Sequence, residues 1–313
     1  MSKKPTKKAA AVKEPKAAKP AKPVKSVAAA PASDLLYTQP VAREGDPVAW
    51  KIEGGIAWVK FNRPDKRNCM SPELNRRMGE VLEAFEFRDD IGVLVLTGEG
   101  TAWSAGMDLQ KYFRETEALG IEATRKAQRE AYSWWRRLRW YQKPTIGMIN
   151  GWCFGGGYGP LHACDLAIAS DDAQFGLSEI NWGILPGGGA TKVAVDSMSY
   201  RDAMWHAMTG EMISGKKAAE WKLINESVPA DQLEARVTEV AKMLLSKNAV
   251  ALKATKDAVR RTKEMTYENA EDYLIRAQEA ANFFDGQGRK EGMKQFLDDK
   301  TYKPGLGGYK VRK

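Results

Sequence analysis

A chain of 313 residues, 43% of them apolar, is long enough to bury an ample core as one large domain or one domain with a small appendage. Three cysteines (Cys69, Cys153, Cys164) without metal-like spacing, and only two histidines, argue against a zinc site or a disulfide framework, so no metal is expected. They fit a reducing cytoplasm. The formal charge of +9 would point to nucleic acid or a membrane surface if it were spread over the fold, but residues 1–31 hold nine lysines and one glutamate, which leaves +1 for the rest.

Met1 to Pro31 is built from Lys, Ala and Pro, with the repeat Ala18-Lys19-Pro20-Ala21-Lys22-Pro23. Proline at that density blocks helix, and like charge keeps the segment extended, so residues 1–47 read as a solvated, disordered tail and linker. A tether to nucleic acid or an anionic membrane is the alternative for it. A secretory signal would need an apolar core and a transit peptide would need arginine; the tail has neither. No apolar run approaches membrane-spanning length.

From Val48 the pattern changes. Trp50–Glu53 and Ile56–Phe61 flank Gly54-Gly55, a hairpin signal. Ser71 followed by Pro72 predicts a capped helix running to about Arg88, and the apolar run Val93–Thr97 predicts a strand buried on both faces. Leu109–Tyr141 reads as helical and aromatic, with packing the expected role of most of its rings. Further helices are expected near Tyr200–Thr209, Gly215–Trp221, Ala230–Lys247 and 248–284. Residues 48–247 thus form an α/β core and 248–313 a helical C-terminal region.

The most informative stretch is Lys143–Ile184, KPTIGMINGWCFGGGYGPLHACDLAIASDDAQFGLSEINWGI. It reads as a buried strand, a triple-glycine turn (Gly155, Gly156, Gly157) opening a short helix, a second strand, and a loop carrying Glu179. The upstream stretch Ser104-Ala105-Gly106-Met107-Asp108-Leu109 has the same strand–glycine–helix form. Two such turns can direct two backbone N–H groups at one oxygen that is gaining negative charge. Glu179, flanked by Phe175, Ile180 and Trp182, is expected to be desolvated, with a raised pKa suited to acid/base work near neutrality.

SAGMDL, NGWCFGGGYGPL and FGLSEINWGI, together with FNRPDKRNCMSPELN and GMKQFLDDKTYKPGL, resemble the crotonase (enoyl-CoA hydratase/isomerase) superfamily, and within it the hydroxycinnamoyl-CoA (feruloyl-CoA) hydratase-lyases. The resemblance runs from about Trp50 to the C-terminus. It implies a crotonase-like spiral of stacked ββα units whose last helices cover the active site and a subunit interface, as a homo-trimer or homo-hexamer. It implies an acyl-CoA thioester as substrate rather than as cofactor, with no other cofactor. The oxyanion donors become the amides of Met107 and Gly156, the acid/base Glu179, and the partner that positions water Tyr112. Lys66, Arg67, Cys69, Ala105 and Asp108 are implied in CoA binding, and Gly159, Trp182, Tyr273 and Ile275 in the acyl site.

Typical hydratases carry a second glutamate at the position of Gly159, and the hydratase-lyases commonly serine there; they also tend to have tyrosine, thought to meet the substrate's phenol, where this chain has Ile275. Tyr273 is nearby but on another helical face. The expected reaction is hydration of a feruloyl- or coumaroyl-type thioester and then retro-aldol cleavage to an aromatic aldehyde, such as vanillin, and acetyl-CoA. Hydration or isomerisation of another acyl-CoA without cleavage is the alternative enzyme reading. The alternative of another class is nucleic-acid binding on this scaffold through the tail, against which the near-neutral body argues.

Overall fold

The structure is a computed structural model and describes residues 40–303; the lysine-rich tail through residue 39 and residues 304–313, with the readings made for them, lie outside the described residues. Gly54 and Gly55, both at positive φ, fold β1 (Val48–Glu53) back on β2 (Ile56–Phe61) as an antiparallel hairpin that pairs Val48 with Phe61. Ser71 caps α1 (Pro72–Glu86), its Oγ accepting from the Leu74 N–H at 3.2 Å, and Pro72 occupies the first turn. β3 (Val93–Gly98) and the short β4 (Ala102–Ser104) follow, then a π-helical segment, Leu109–Glu115, and α2 (Ile121–Arg139).

The same unit then repeats. β5 (Thr145–Ile149), β6 (Trp152–Phe154) and α3 (Tyr158–Ala163) make one turn; β7 (Leu166–Ser170), β8 (Gln174–Gly176) and α4 (Ala190–Ser197) make the next. α5 (Tyr200–Thr209), β9 (Ile213–Ser214), α6 (Gly215–Glu220), β10 (Glu226–Val228) and α7 (Leu233–Leu245) complete the core. The C-terminal helices are α8 (Ala249–Thr262), α9 (Tyr267–Phe284) and α10 (Gly288–Leu297), the last within the helical region read from the sequence but without bounds of its own there.

Each unit gives one strand to each of two sheets. The larger sheet has the order β1-β2-β3-β5-β7-β10 and is parallel beyond the first hairpin; the smaller has the order β4-β6-β8-β9. The period-two alternation of the long strands explains why their sequences are apolar throughout. Ala57, Val59, Leu94, Leu96 and Ala169 face the main core shared with α1 and α2. Ile56, Trp58, Val93, Val95 and Ile168 face a second cluster closed by Leu233, Val237 and Ala241 of α7. The strands of the small sheet, two or three residues long, were too short to be read from periodicity.

One buried asparagine ties the loop before α1 to the β3–β4 turn. Asn68 is fully buried at φ 56°, a conformation asparagine tolerates better than most residues. Its Nδ2 donates to the carbonyls of Glu99 (2.9 Å) and Ala102 (2.7 Å), its Oδ1 accepts from the Arg63 N–H (2.9 Å), and its own carbonyl accepts from Ser104 Oγ (2.9 Å). Asn68→Ala removes three side-chain hydrogen bonds to backbone groups, one of them buried and two part-buried, and leaves alanine at a positive φ that asparagine tolerates better. It is expected to cost about 3 kcal/mol of folding stability, measured by urea denaturation; a loss below about 0.5 kcal/mol would show that the anchor is dispensable.

Candidate active site

β4 and β6 are parallel neighbours, so the turns that follow them emerge side by side from one end of the small sheet. The first turns at Gly106 (φ 90°) and the second at Gly155 (φ 47°). They approach so closely that a Cβ on Gly106 would lie 2.7 Å from the Phe154 carbonyl oxygen and 3.1 Å from the Gly156 nitrogen. A Cβ on Gly156 would lie 3.2 Å from the Met107 nitrogen. The backbone nitrogens of Met107 and Gly156 are therefore brought close together.

Their neighbours are engaged elsewhere. The Gly106 N–H donates to Ser104 Oγ (3.2 Å), and the Asp108 N–H donates to the Met70 carbonyl (3.0 Å). Gly156 lies in the first turn of a helical segment, where an N–H has no intrahelical acceptor. The arrangement offers two preset donors to one oxygen.

Glu179 sits in the short 3-10 segment Ser178–Trp182 after β8. Its carboxyl group lies over the first glycine of the triplet: a Cβ on Gly155 would come within 2.6 Å of Oε1. Oε2 is buried with no hydrogen-bond partner among the described residues. Burial pushes the Glu179 pKa above its usual 4.5, partly offset by a hydrogen bond from its own backbone. The neutral form of the carboxyl is thus favoured relative to an exposed glutamate.

These groups line one cavity of about 600 Å³, a size suited to a small-molecule site. Of the residues singled out in the sequence, Met107, Gly156, Glu179, Tyr112, Arg67, Cys69, Ala105 and Trp182 border it. Arg67 stacks its guanidinium on Trp152, 4.8 Å from the ring centroid. The Cys69 thiol, pushed up to about 11 by burial and then by Asp108, is a neutral wall rather than a nucleophile. Tyr112 is buried, accepting at its hydroxyl from Asn75 Nδ2 (2.5 Å) and donating to the Ala127 carbonyl (3.2 Å). Burial pushes its phenol up to about 12, so it stays neutral, with one oxygen lone pair uncommitted.

Five expectations require correction for this chain's own cavity. Lys66 is exposed and does not border it. Asp108 is a clamp rather than a ligand contact: Arg63 Nη1 meets its Oδ2 at 3.0 Å and the Lys111 N–H meets its Oδ1 at 3.1 Å. Burial alone would raise its pKa, but these two partners hold the carboxyl below the usual carboxylate range. Gly159 is covered by the indole of Trp135 and leaves no open space for a ligand. Tyr273 and Ile275, on α9, are absent from the lining, as is every described residue beyond Gly188.

The sequence reading also passed over contributors. Trp135, a packing aromatic by its sequence setting, borders the cavity, and its buried Nε1 has no partner among the described residues. Thr124, Gln128, Ala131 and Trp135 recur at helical spacing along α2, a signal that could have found this wall. Asn75, which holds Tyr112 and accepts from Trp134 Nε1 at 2.8 Å, had no local signature.

The raised pKa of Glu179 has a testable sign. A carboxyl whose folded pKa lies above its unfolded value favours folding at low pH and loses that contribution as pH rises through the folded pKa. Glu179→Gln, which cannot ionise, is expected to melt above the wild type near pH 8. The advantage should disappear toward about pH 4, as read by differential scanning calorimetry. An advantage independent of pH would show that the carboxyl's ionisation is not what strains the site.

A family model for enoyl-CoA hydratase/isomerase matches residues 51–304. A hydroxycinnamoyl-CoA hydratase-lyase of Pseudomonas fluorescens is 54% identical over 262 residues, covering 83% of this chain and 95% of that protein. An (E)-benzylidenesuccinyl-CoA hydratase of Thauera aromatica is 32% identical over 80% of this chain and 95% of its own length. Among solved structures, an enoyl-CoA hydratase from Geobacillus kaustophilus superposes with a TM-score of 0.73 at 28% identity, over 84% of this chain and 98% of its own. Converging turn amides, a desolvated acid and the spiral of ββα units agree with these matches: the chain belongs to the enoyl-CoA hydratase/isomerase family.

Proposed function

We propose that this enzyme is a hydroxycinnamoyl-CoA hydratase-lyase, which hydrates a feruloyl- or coumaroyl-type thioester and then cleaves it to an aromatic aldehyde and acetyl-CoA. The observation that carries the reading is the Glu179 carboxyl group, set over Gly155 beside the paired Met107 and Gly156 amides in an aromatic-lined cavity. The 54% identity to a protein of that activity supports it.

The thioester oxygen accepts both amide N–H groups. Ionised Glu179 takes a proton from water as the water oxygen bonds to Cβ, and charge moves onto the thioester oxygen as an enolate. Tyr112 accepts the water's second hydrogen at its remaining lone pair. Protonated Glu179 then delivers its proton to Cα, completing hydration. In the second half Glu179 takes the β-hydroxyl proton and the Cα–Cβ bond breaks. The aldehyde leaves, and the acetyl-CoA enolate, held by the same two amides, regains a proton from Glu179. Each amide is expected to lower these barriers by on the order of 3 kcal/mol. No step needs a resident metal or redox cofactor.

Arg67, stacked on Trp152 at the cavity mouth, is the cation best placed to meet the CoA phosphates, with Cys69 and Ala105 beside it. Among the described residues no helix is long and apolar enough to cross a membrane, and we place the enzyme in the cytoplasm. We further propose a homo-trimer or homo-hexamer. α9 has no buried residue and exposes Phe283 and Phe284 at 81% and 73%, an apolar face that a second copy would cover. That packing would carry Tyr273 and Ile275 toward a neighbour's site, the cover their own chain does not provide.

Incubation with feruloyl-CoA is expected to release aldehyde and acetyl-CoA in equal amounts, and Glu179→Gln to slow release by about a thousandfold. A hydrated thioester that accumulates without aldehyde would instead support hydration alone. Sedimentation is expected to give three or six times 34.8 kDa, falling when Phe283 and Phe284 are both replaced by aspartate. A monomeric wild type would overturn the assembly.

A further inference from the structure

Trp135 stands at the end of the α2 face that lines the cavity, next to α3. A Cβ placed on Gly159 would fall 2.6, 2.7 and 2.8 Å from the indole atoms Cε3, Cζ3 and Cδ2. Three consecutive ring atoms at nearly equal distance put that point over the ring face, since an edge-on approach would leave the outer two much farther than the middle one. The indole is therefore seated face-down on the Gly159 backbone, in space that any side chain at 159 would claim.

The ring is fixed from other directions as well. Tyr132 and Trp134 meet it edge-on at 5.2 and 6.1 Å between centroids. A Cβ on Gly188 would lie 3.9 Å from Cη2. With the residue only 7% exposed, the remaining surface of the ring bounds the cavity. A flat, apolar surface held so firmly loses little freedom when a planar group stacks on it.

The placement along the substrate is also favourable. Gly159 lies three residues after the oxyanion donor Gly156, roughly 5 Å along the helical segment. A thioester carbonyl held at Gly156, with its acyl chain running along this segment, would bring its substituent to the region Trp135 bounds.

We propose that Trp135 is the specificity-determining residue of this site: seated on Gly159, its indole is the wall against which the aryl group of the substrate stacks. The inference rests on the reading of the substrate as an aromatic acyl-CoA. Glycine at 159 is then a condition for the wall rather than a missing polar contact. Restoring a side chain there would displace the ring.

Binding separates this proposal from the reaction itself. Isothermal titration with 3-phenylpropanoyl-CoA and butanoyl-CoA, saturated thioesters that cannot be hydrated, gives a ratio of dissociation constants that reports the wall alone. Contacts to CoA and losses of fold move both constants together. The wild type is expected to favour the aryl thioester, and Trp135→Leu to reduce that preference by about tenfold. Trp135→Phe, which keeps a smaller ring and serves as the conservative variant, should reduce it less.

Gly159→Ser is expected to lower the preference as well. Combining it with Trp135→Phe should cost less than the two changes summed, because the smaller ring leaves room for the new side chain. A ratio unmoved by Trp135→Leu, or strictly additive costs in the double variant, would overturn the proposal. Failure of the wild type to release aldehyde would overturn the cleavage reading while leaving the binding ratio to decide the wall.

Discussion

The close approach of two glycine turns is the constraint on which the rest of this site depends. Gly106 and Gly156 interlock at distances where an added carbon on Gly106 would strike the Phe154 carbonyl and one on Gly156 would strike the Met107 side chain and crowd its amide. Only bare backbone fits, and bare backbone is what brings the Met107 and Gly156 N–H groups together. The small sheet enforces the approach, because β4 and β6 run parallel as neighbours and end at the same side. Asn68 and Asn150 brace it from behind: Asn150 Nδ2 donates to the carbonyls of Gly98 and Gly100 at 3.0 and 2.8 Å, joining consecutive turns of the spiral. Donors held in this way would need no reorganisation as charge develops on a bound oxygen, which is what the proposed reaction requires of them.

Two carboxyl groups near these turns show how environment divides labour. Asp108 is buried, but Arg63 and the Lys111 amide meet it, and it stays charged as part of the scaffold. Arg63 uses the same nitrogen to reach the Cys69 carbonyl at 2.7 Å, so one guanidinium joins the loop before α1 to the turn that carries Met107. Glu179 is half-buried, with its Oε2 enclosed and no hydrogen-bond or ion-pair partner for that oxygen among the described residues, and its pKa moves the other way. The first arrangement holds a charge in place and the second disfavours one. Their opposite shifts follow from partners that sequence position does not reveal.

The aromatic side of the cavity is organised by the same exchange of side chain for space. Trp135 occupies the volume above Gly159, and Asn75 supports both Tyr112 and Trp134 from beneath. A residue that looks like a deletion of chemistry in the sequence is, in the fold, the seat of a large ring. The π-helical segment that carries Tyr112 starts from the Asp108 cap, so the scaffold carboxylate also sets where that phenol stands.

Taken alone, the sequence determined what is local. Alternation, capping at Ser71, the paired glycines at 54–55 and the triplet at 155–157 specify strands, helices and turns because those preferences act over a few residues. Glu179 stood out as the expected acid from the resemblance carried by FGLSEINWGI together with its apolar flanks. Tertiary structure decided the rest. It set which amides meet, that Asp108 belongs to Arg63 45 positions away, that the Tyr112 hydroxyl is already engaged, and that Trp135 rather than a ligand fills the space beside Gly159. Backbone donors carry no sequence signature, and desolvation depends on what packs around a group from distant parts of the chain. Such properties exist only once the turns of the spiral are stacked.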